Sequence, residues 1–197
     1  MKKIPYGICN YRKLQEEGYV YVDKTMYLEK LEDVGSTLVY LRPGRFGKTL
    51  FTSMMYYYYD INSKDLFERL FKDTYVYKNP TRLKNNYYIL KLDFSGMSMN
   101  EEMSSEDIEN EFKNKVISGI NNFNKSYSTS IKVNINNTPN GILIEFLSEF
   151  NNLNFDNKLY ILIDEYDNFT NSILEGNGDR FKNIVGNNGF IKAFYAS

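Results

Sequence analysis

The chain has 197 residues, 42% hydrophobic and 16% aromatic, enough apolar surface to bury a core and too much for a disordered chain. Its 24 Lys and Arg nearly balance 25 Asp and Glu, and the net charge of −1 argues against a generic nucleic-acid binder, leaving only a local basic patch open. With no histidine and one cysteine, Cys9, the sequence excludes a Ser-His-Asp triad, a Cys-His dyad, a His-ligated zinc and an internal disulfide.

Any metal must therefore sit on oxygen ligands, which points to magnesium-type chemistry. Cysteine usage fits a reducing compartment, hence a cytoplasmic protein. Cys9 reads as a small packing residue rather than a nucleophile, since no histidine could activate it. The start, MKKIPYGICNY, has two lysines without a following apolar run and is not a signal peptide. No stretch approaches the roughly 20 apolar residues that span a bilayer.

The sequence predicts one domain over 1–197, with a lead-in segment and helix over 1–36 and a nucleotide-binding core over 37–197. Ile4-Pro5-Tyr6-Gly7 is turn-like and Tyr19-Val20-Tyr21-Val22 is β-rich. Asp23 is the expected N-cap of a helix with apolar positions Met26, Tyr27, Leu28 and Leu31, closing near Gly35. Thr37–Leu41 (TLVYL) has the composition of a strand buried on both faces. A helix is expected from Lys48 to about Tyr59, and a second over about Lys64–Phe71 after a turn at Asn62-Ser63. The Tyr56–Tyr59 run reads as core and interface rather than a base-stacking platform.

Tyr87–Phe94 is the next predicted strand. Ser104 and Asp107 fit a capping box, and Ile108, Phe112, Val116 and Ile120 recur every four residues in the following helix. Asn121–Asn137 is polar and predicts a loop, with room for a short strand at Ile131–Ile135. Thr138-Pro139 supplies a cap and first-turn proline for a helix carrying Leu143, Phe146, Leu147 and Phe150. Leu159–Ile163 predicts another buried strand, and a helix runs from Phe190 to the end. Alternating strands and helices predict an α/β fold with a largely parallel sheet.

Two motifs carry chemistry. Gly47-Lys48-Thr49, between a predicted strand and a helix, matches the centre of a Walker A loop, whose amides turn toward an anion at a helix N-terminus. Lys48 would reach the β- and γ-phosphates and Thr49 would offer its hydroxyl to Mg2+. Gly44, Arg45, Phe46, Gly47, Lys48, Thr49 and Leu50 form the expected nucleotide-binding segment. The full pattern wants glycine at position 42, where Arg42 stands; Gly44 restores part of the flexibility. Arg42 and Arg45 either neutralise phosphate charge or are exposed loop cations.

The second motif is Tyr160-Ile161-Leu162-Ile163-Asp164-Glu165, an apolar strand ending in two acids, the form of a Walker B motif. Asp164 is the expected metal carboxylate, and Glu165 would orient or deprotonate the attacking water. Asp93 ends the Tyr87–Phe94 strand and either joins that carboxyl edge or caps a turn. Tyr166 and Asp167 extend the acidic end.

Ile4-Pro5-Tyr6-Gly7-Ile8, Tyr21-Val22-Asp23-Lys24-Thr25, Leu41–Leu50 and Ile163-Asp164-Glu165-Tyr166-Asp167 together resemble the bacterial AAA-ATPase-like proteins. That family also lacks the first Walker glycine, and usually has Arg where Gly44 stands and Ser where Thr49 stands. The resemblance implies a P-loop ATPase fold of the additional-strand type, often joined to a C-terminal nuclease-like domain, here shortened after the Walker B region. It also implies a further strand with a polar sensor residue, and the expectation is that this chain stops short of it.

The leading expectation is ATP binding with Mg-dependent hydrolysis, Lys48 and Glu165 being catalytic and Thr49 and Asp164 metal-facing. The alternative is a shortened ATPase-like module that regulates or inhibits a larger protein machine, such as a defence complex, without hydrolysis. A protein partner or a second copy would then complete the sheet. A nuclease or RNA-binding role is poorly served by balanced charge and isolated acids.

Overall fold

The computed structural model describes residues 3–35, 37–40, 46–97, 103–165 and 190–196. The chain divides into two compact units, Met1–Ile89 with Asn157–Tyr160, and Leu90–Asp156 with Ile161–Ser197.

In the first unit, α1 (Tyr11–Glu16) starts at Asn10, whose side chain accepts the Lys13 N–H and satisfies one of the helix's open donors. Tyr11 fixes this helix in the core. Its backbone N–H donates to Ser53 Oγ at 3.0 Å and its hydroxyl donates to the Leu70 carbonyl at 3.1 Å. Helix α2 (Tyr27–Val34) ends at Gly35, whose φ of 135° lies where a β-carbon would be strained. Helix α3 (Lys48–Tyr59) buries Phe51, Met54, Met55, Tyr58 and Tyr59. The Tyr58 and Tyr59 rings are thus core, as the sequence predicts.

Several expectations change here. Asp23 does not cap α2, whose N-cap is Met26. Its carboxylate accepts the Thr25 N–H at 2.9 Å and the Tyr75 N–H at 2.7 Å, so it holds the start of a later helix at Tyr75 instead. The strand expected at Thr37–Leu41 does not form over 37–40, and position 41 lies outside the described residues. Val39 is 69% exposed, so the run lacks the two-sided burial that defines such a strand. Between Tyr19 and Val22 the only pairing among the described residues is a single parallel bridge from Tyr19 to Lys3. Cys9 is exposed rather than packed.

The helix expected over Lys64–Phe71 is split. A 3-10 turn spans Ile61–Leu66 and α4 spans Phe67–Phe71. The Asp60 carboxylate accepts from Asn62 N–H at 3.1 Å and Ser63 Oγ at 2.8 Å, which tightens that turn. Helix α5 (Tyr75–Lys78) follows.

The strands β1 (Tyr87–Asp93) and β2 (Lys158–Asp164) form a two-stranded sheet. They are parallel. Asn157 donates to Asn86 at the start, and Phe94 N–H donates to the Asp164 carbonyl at the end. This pair is the sheet among the described residues. β2 is less buried than its composition predicts: Leu162 and Asp164 are buried, and the residues between Leu159 and Ile163 are otherwise half-exposed.

In the second unit, α6 (Ser105–Tyr127) opens with the predicted box: Asp107 N–H donates to Ser104 Oγ, and Ser104 N–H donates back to the Asp107 carboxylate. Ile108, Phe112, Val116 and Ile120 are buried, as their spacing requires. The helix continues through Asn121–Tyr127, where a loop was expected, because buried Phe123 extends the apolar stripe onto Phe146, centroids 5.1 Å apart. Its end is turned by Ser128 at φ 54°. No strand forms at Ile131–Ile135; the Asn124 side chain instead bonds both the N–H and the carbonyl of Ile131. Helix α7 (Pro139–Asn152) begins as predicted at Thr138, with Pro139 in its first turn. Helix α8 (Phe190–Ala196) brings Phe194 edge-on to Phe112 at 5.0 Å. No helix among the described residues is long and apolar enough to cross a membrane.

Candidate functional site

The first unit carries the head of α3. Gly47 has φ 78° and ψ 28°, a left-handed backbone that glycine adopts without penalty. The chain turns there and the helix begins at Lys48, with Phe51 N–H donating to the Gly47 carbonyl at 2.9 Å. The N–H groups of Lys48, Thr49 and Leu50 lie ahead of that bond, and Gly47 has no side chain to cap them. Amides at a helix start of twelve residues, beside a lysine, favour an anion. Lys48, Thr49 and Leu50 are half-exposed and Phe46 is exposed, so a ligand can reach them. Arg42, Gly44 and Arg45 lie outside the described residues.

Close to this turn is a second lysine. Lys24 Nζ lies 3.9 Å from the point a β-carbon on Gly47 would occupy. In the sequence Lys24 stands out only as a member of the Tyr21–Thr25 segment.

The second unit carries the strand ends. Asp164, 3% exposed, ends β2, and Asp93 ends β1. Lys91 Nζ stands 3.7 Å from Asp93 Oδ2 and 4.0 Å from Asp164 Oδ2. Burial pushes the Asp164 carboxyl up; Lys91 opposes this, Asp93 and Glu165 reinforce it, and the net shift is upward. For Asp93 burial also pushes up, but the Ser95 hydrogen bonds, Lys91 and Lys115 outweigh it and hold the carboxyl below its ordinary value. Asp93 therefore both lies at the carboxyl edge and caps a turn, through Ser95 N–H at 2.9 Å.

Glu165 follows Asp164 at φ 56°, a left-handed conformation costing a non-glycine residue about 1–3 kcal/mol, and its N–H donates to Asp164 Oδ1 at 3.1 Å. The turn carries Glu165 off the strand. Tyr166 and Asp167 lie outside the described residues.

Lys91 could not be picked out from the motif alone. Its signal is the strand period of two, which puts Lys91 and Asp93 on one face of β1.

Magnesium fits this donor chemistry. Asp164 offers a buried carboxylate oxygen, the donor type that Mg2+ takes, with the Lys91 ammonium 4.0 Å away. No group of three or more acidic or cysteine ligands occurs among the described residues. None is required, because Mg2+ is held by one or two carboxylates together with waters and phosphates.

Among known families, the one described as "Predicted AAA-ATPase" matches residues 5–197. Over 51 residues the chain is 45% identical to an Azotobacter chroococcum mcd 1 protein described as "Uncharacterized protein in vnfD 5'region". That segment covers 25% of this chain and 10% of the other protein, so the chain matches about a tenth of that relative's length. No solved structure matches.

Proposed function

This chain belongs to the predicted AAA-ATPase family, and we propose that it binds ATP with Mg2+ and hydrolyses it. The observation that carries the proposal is the left-handed Gly47 at the head of α3, which places Lys48 and Thr49 in the first turn of the helix. The reading entails a P-loop type of α/β arrangement around that helix.

Each residue then has a role. Lys48 neutralises the β- and γ-phosphates, and Thr49 directs its hydroxyl to the metal. Asp164 faces the metal, directly or through water. Glu165 orients the attacking water or accepts its proton. Held by Thr49 and Asp164, Mg2+ would supply positive charge to offset the charge that develops on the phosphate. Transfer of phosphate to water is mostly positioning and charge stabilisation, which these four residues supply.

The test compares binding and turnover in wild type and Glu165→Gln. The expected outcome is retained ATP binding with turnover reduced about 100-fold or more. Equal turnover in the two proteins would remove Glu165 from the chemistry, and wild type without Mg-dependent turnover would overturn hydrolysis.

A further inference from the structure

We propose that Lys24 is a second phosphate-binding cation at the head of α3, reaching from the segment Tyr21–Thr25 to the same polyphosphate as Lys48; this rests on the nucleotide reading of that helix start.

Three observations carry it. The ammonium group is 3.9 Å from the β-carbon position of Gly47, the residue at which the chain turns into the helix. Its charge is uncommitted, because Lys24 makes no ion pair among the described residues. Its backbone is fixed on both sides. Lys24 N–H donates to the Tyr21 hydroxyl at 3.4 Å, and Asp23 holds Tyr75 N–H at 2.7 Å. Thr25, fully buried, accepts the Val76 N–H at 3.3 Å.

These contacts give Tyr21–Thr25 a physical purpose. Asp23 and Thr25 tie the segment to α5, and the residue between them is left to project its charge toward Gly47. With its backbone fixed at both neighbours, Lys24 has only side-chain freedom left to lose on meeting an anion. The glycine at 47 matters because its left-handed backbone, at φ 78°, permits the turn that brings the helix start beside the ammonium.

A solvated loop lysine would have no such effect, and the two cases separate by experiment. ATP binding is measured by calorimetry for wild type, Lys24→Met, Lys24→Arg and Lys48→Ala, across a series of salt concentrations, with thermal melts of each free protein. The expected result is ATP affinity about tenfold lower in Lys24→Met, a shallower salt dependence, partial recovery in Lys24→Arg, and an unchanged melt. Affinity within about twofold of wild type in Lys24→Met, with binding lost in Lys48→Ala, overturns the role of Lys24 and leaves the nucleotide reading standing. No ATP binding by wild type overturns both. Should Lys24→Met melt early, Lys24→Arg decides: affinity and salt slope recovered at least partly toward wild type support the charge, and values no better than those of Lys24→Met overturn it.

Discussion

Lys91 Nζ lies within 4.0 Å of Asp164 Oδ2 and joins it to Asp93, so one ammonium serves the acids at the ends of both strands. The two carboxylates nevertheless respond to their surroundings in opposite directions. Asp164, nearly inaccessible, is dominated by burial and pushed up, whereas at Asp93 the same burial is outweighed by Ser95 and two lysines.

The opposite shifts predict opposite pH dependences. Asp164 has a raised folded pKa, so its charged form is penalised in the native state. That penalty is absent below the unfolded pKa and complete above the folded one. Asp164→Asn should therefore raise the melting midpoint of the free protein by about 2–4 °C near neutrality and lose this advantage in acid. Asp93 has a lowered folded pKa, and its stabilisation is present above the unfolded value and lost as pH falls through the folded one. Asp93→Asn should lower the midpoint near neutrality, by less than about 2 °C because the side chain is partly exposed, and converge on wild type in acid. Melting curves between about pH 3 and pH 8 check both.

Gly119→Ala should destabilise, although alanine is the better helix former by about 1 kcal/mol. A β-carbon at position 119 would meet Leu92 Cδ2 at 2.6 Å and the Lys91 carbonyl oxygen at 2.9 Å. The carbonyl belongs to the backbone of β1 and cannot turn aside. Overpacking costs about 1–3 kcal/mol, which exceeds the propensity gain, and urea unfolding should show a lower midpoint. An unchanged or raised midpoint would contradict this close approach of α6 and β1.

Phe146→Ala should cost about 3–5 kcal/mol, read as a loss of at least about 6 °C in melting midpoint. Phe146 is fully buried between Phe123 and Phe150, and alanine leaves a cavity that rigid neighbouring rings cannot fill.

Much of this was legible in the sequence where local chemistry decides. The Ser104–Asp107 box, the four-residue spacing from Ile108 to Ile120 and the Thr138-Pro139 start are self-contained signals, and each forms as read. Gly47-Lys48-Thr49 likewise sits at a helix start. Failures arise where distant partners decide. Asp23 has the composition of an N-cap, but its carboxylate is claimed by Tyr75, 52 residues away. Thr37–Leu41 has strand composition, yet composition supplies no neighbouring strand to pair with. Asn121–Tyr127 looks polar on average, and a single inward ring, Phe123, keeps it helical. At the acidic strand ends the motif identifies Asp164, but Lys91 comes from a separate strand and is visible only once the two are paired.

The most direct test of the account is calorimetric titration of ATP into wild type and Lys48→Ala under identical conditions, with thermal melts of both free proteins. The account predicts saturable binding to wild type, loss of about 100-fold or more in affinity for the variant, and similar melts. Unchanged ATP affinity in Lys48→Ala would contradict it.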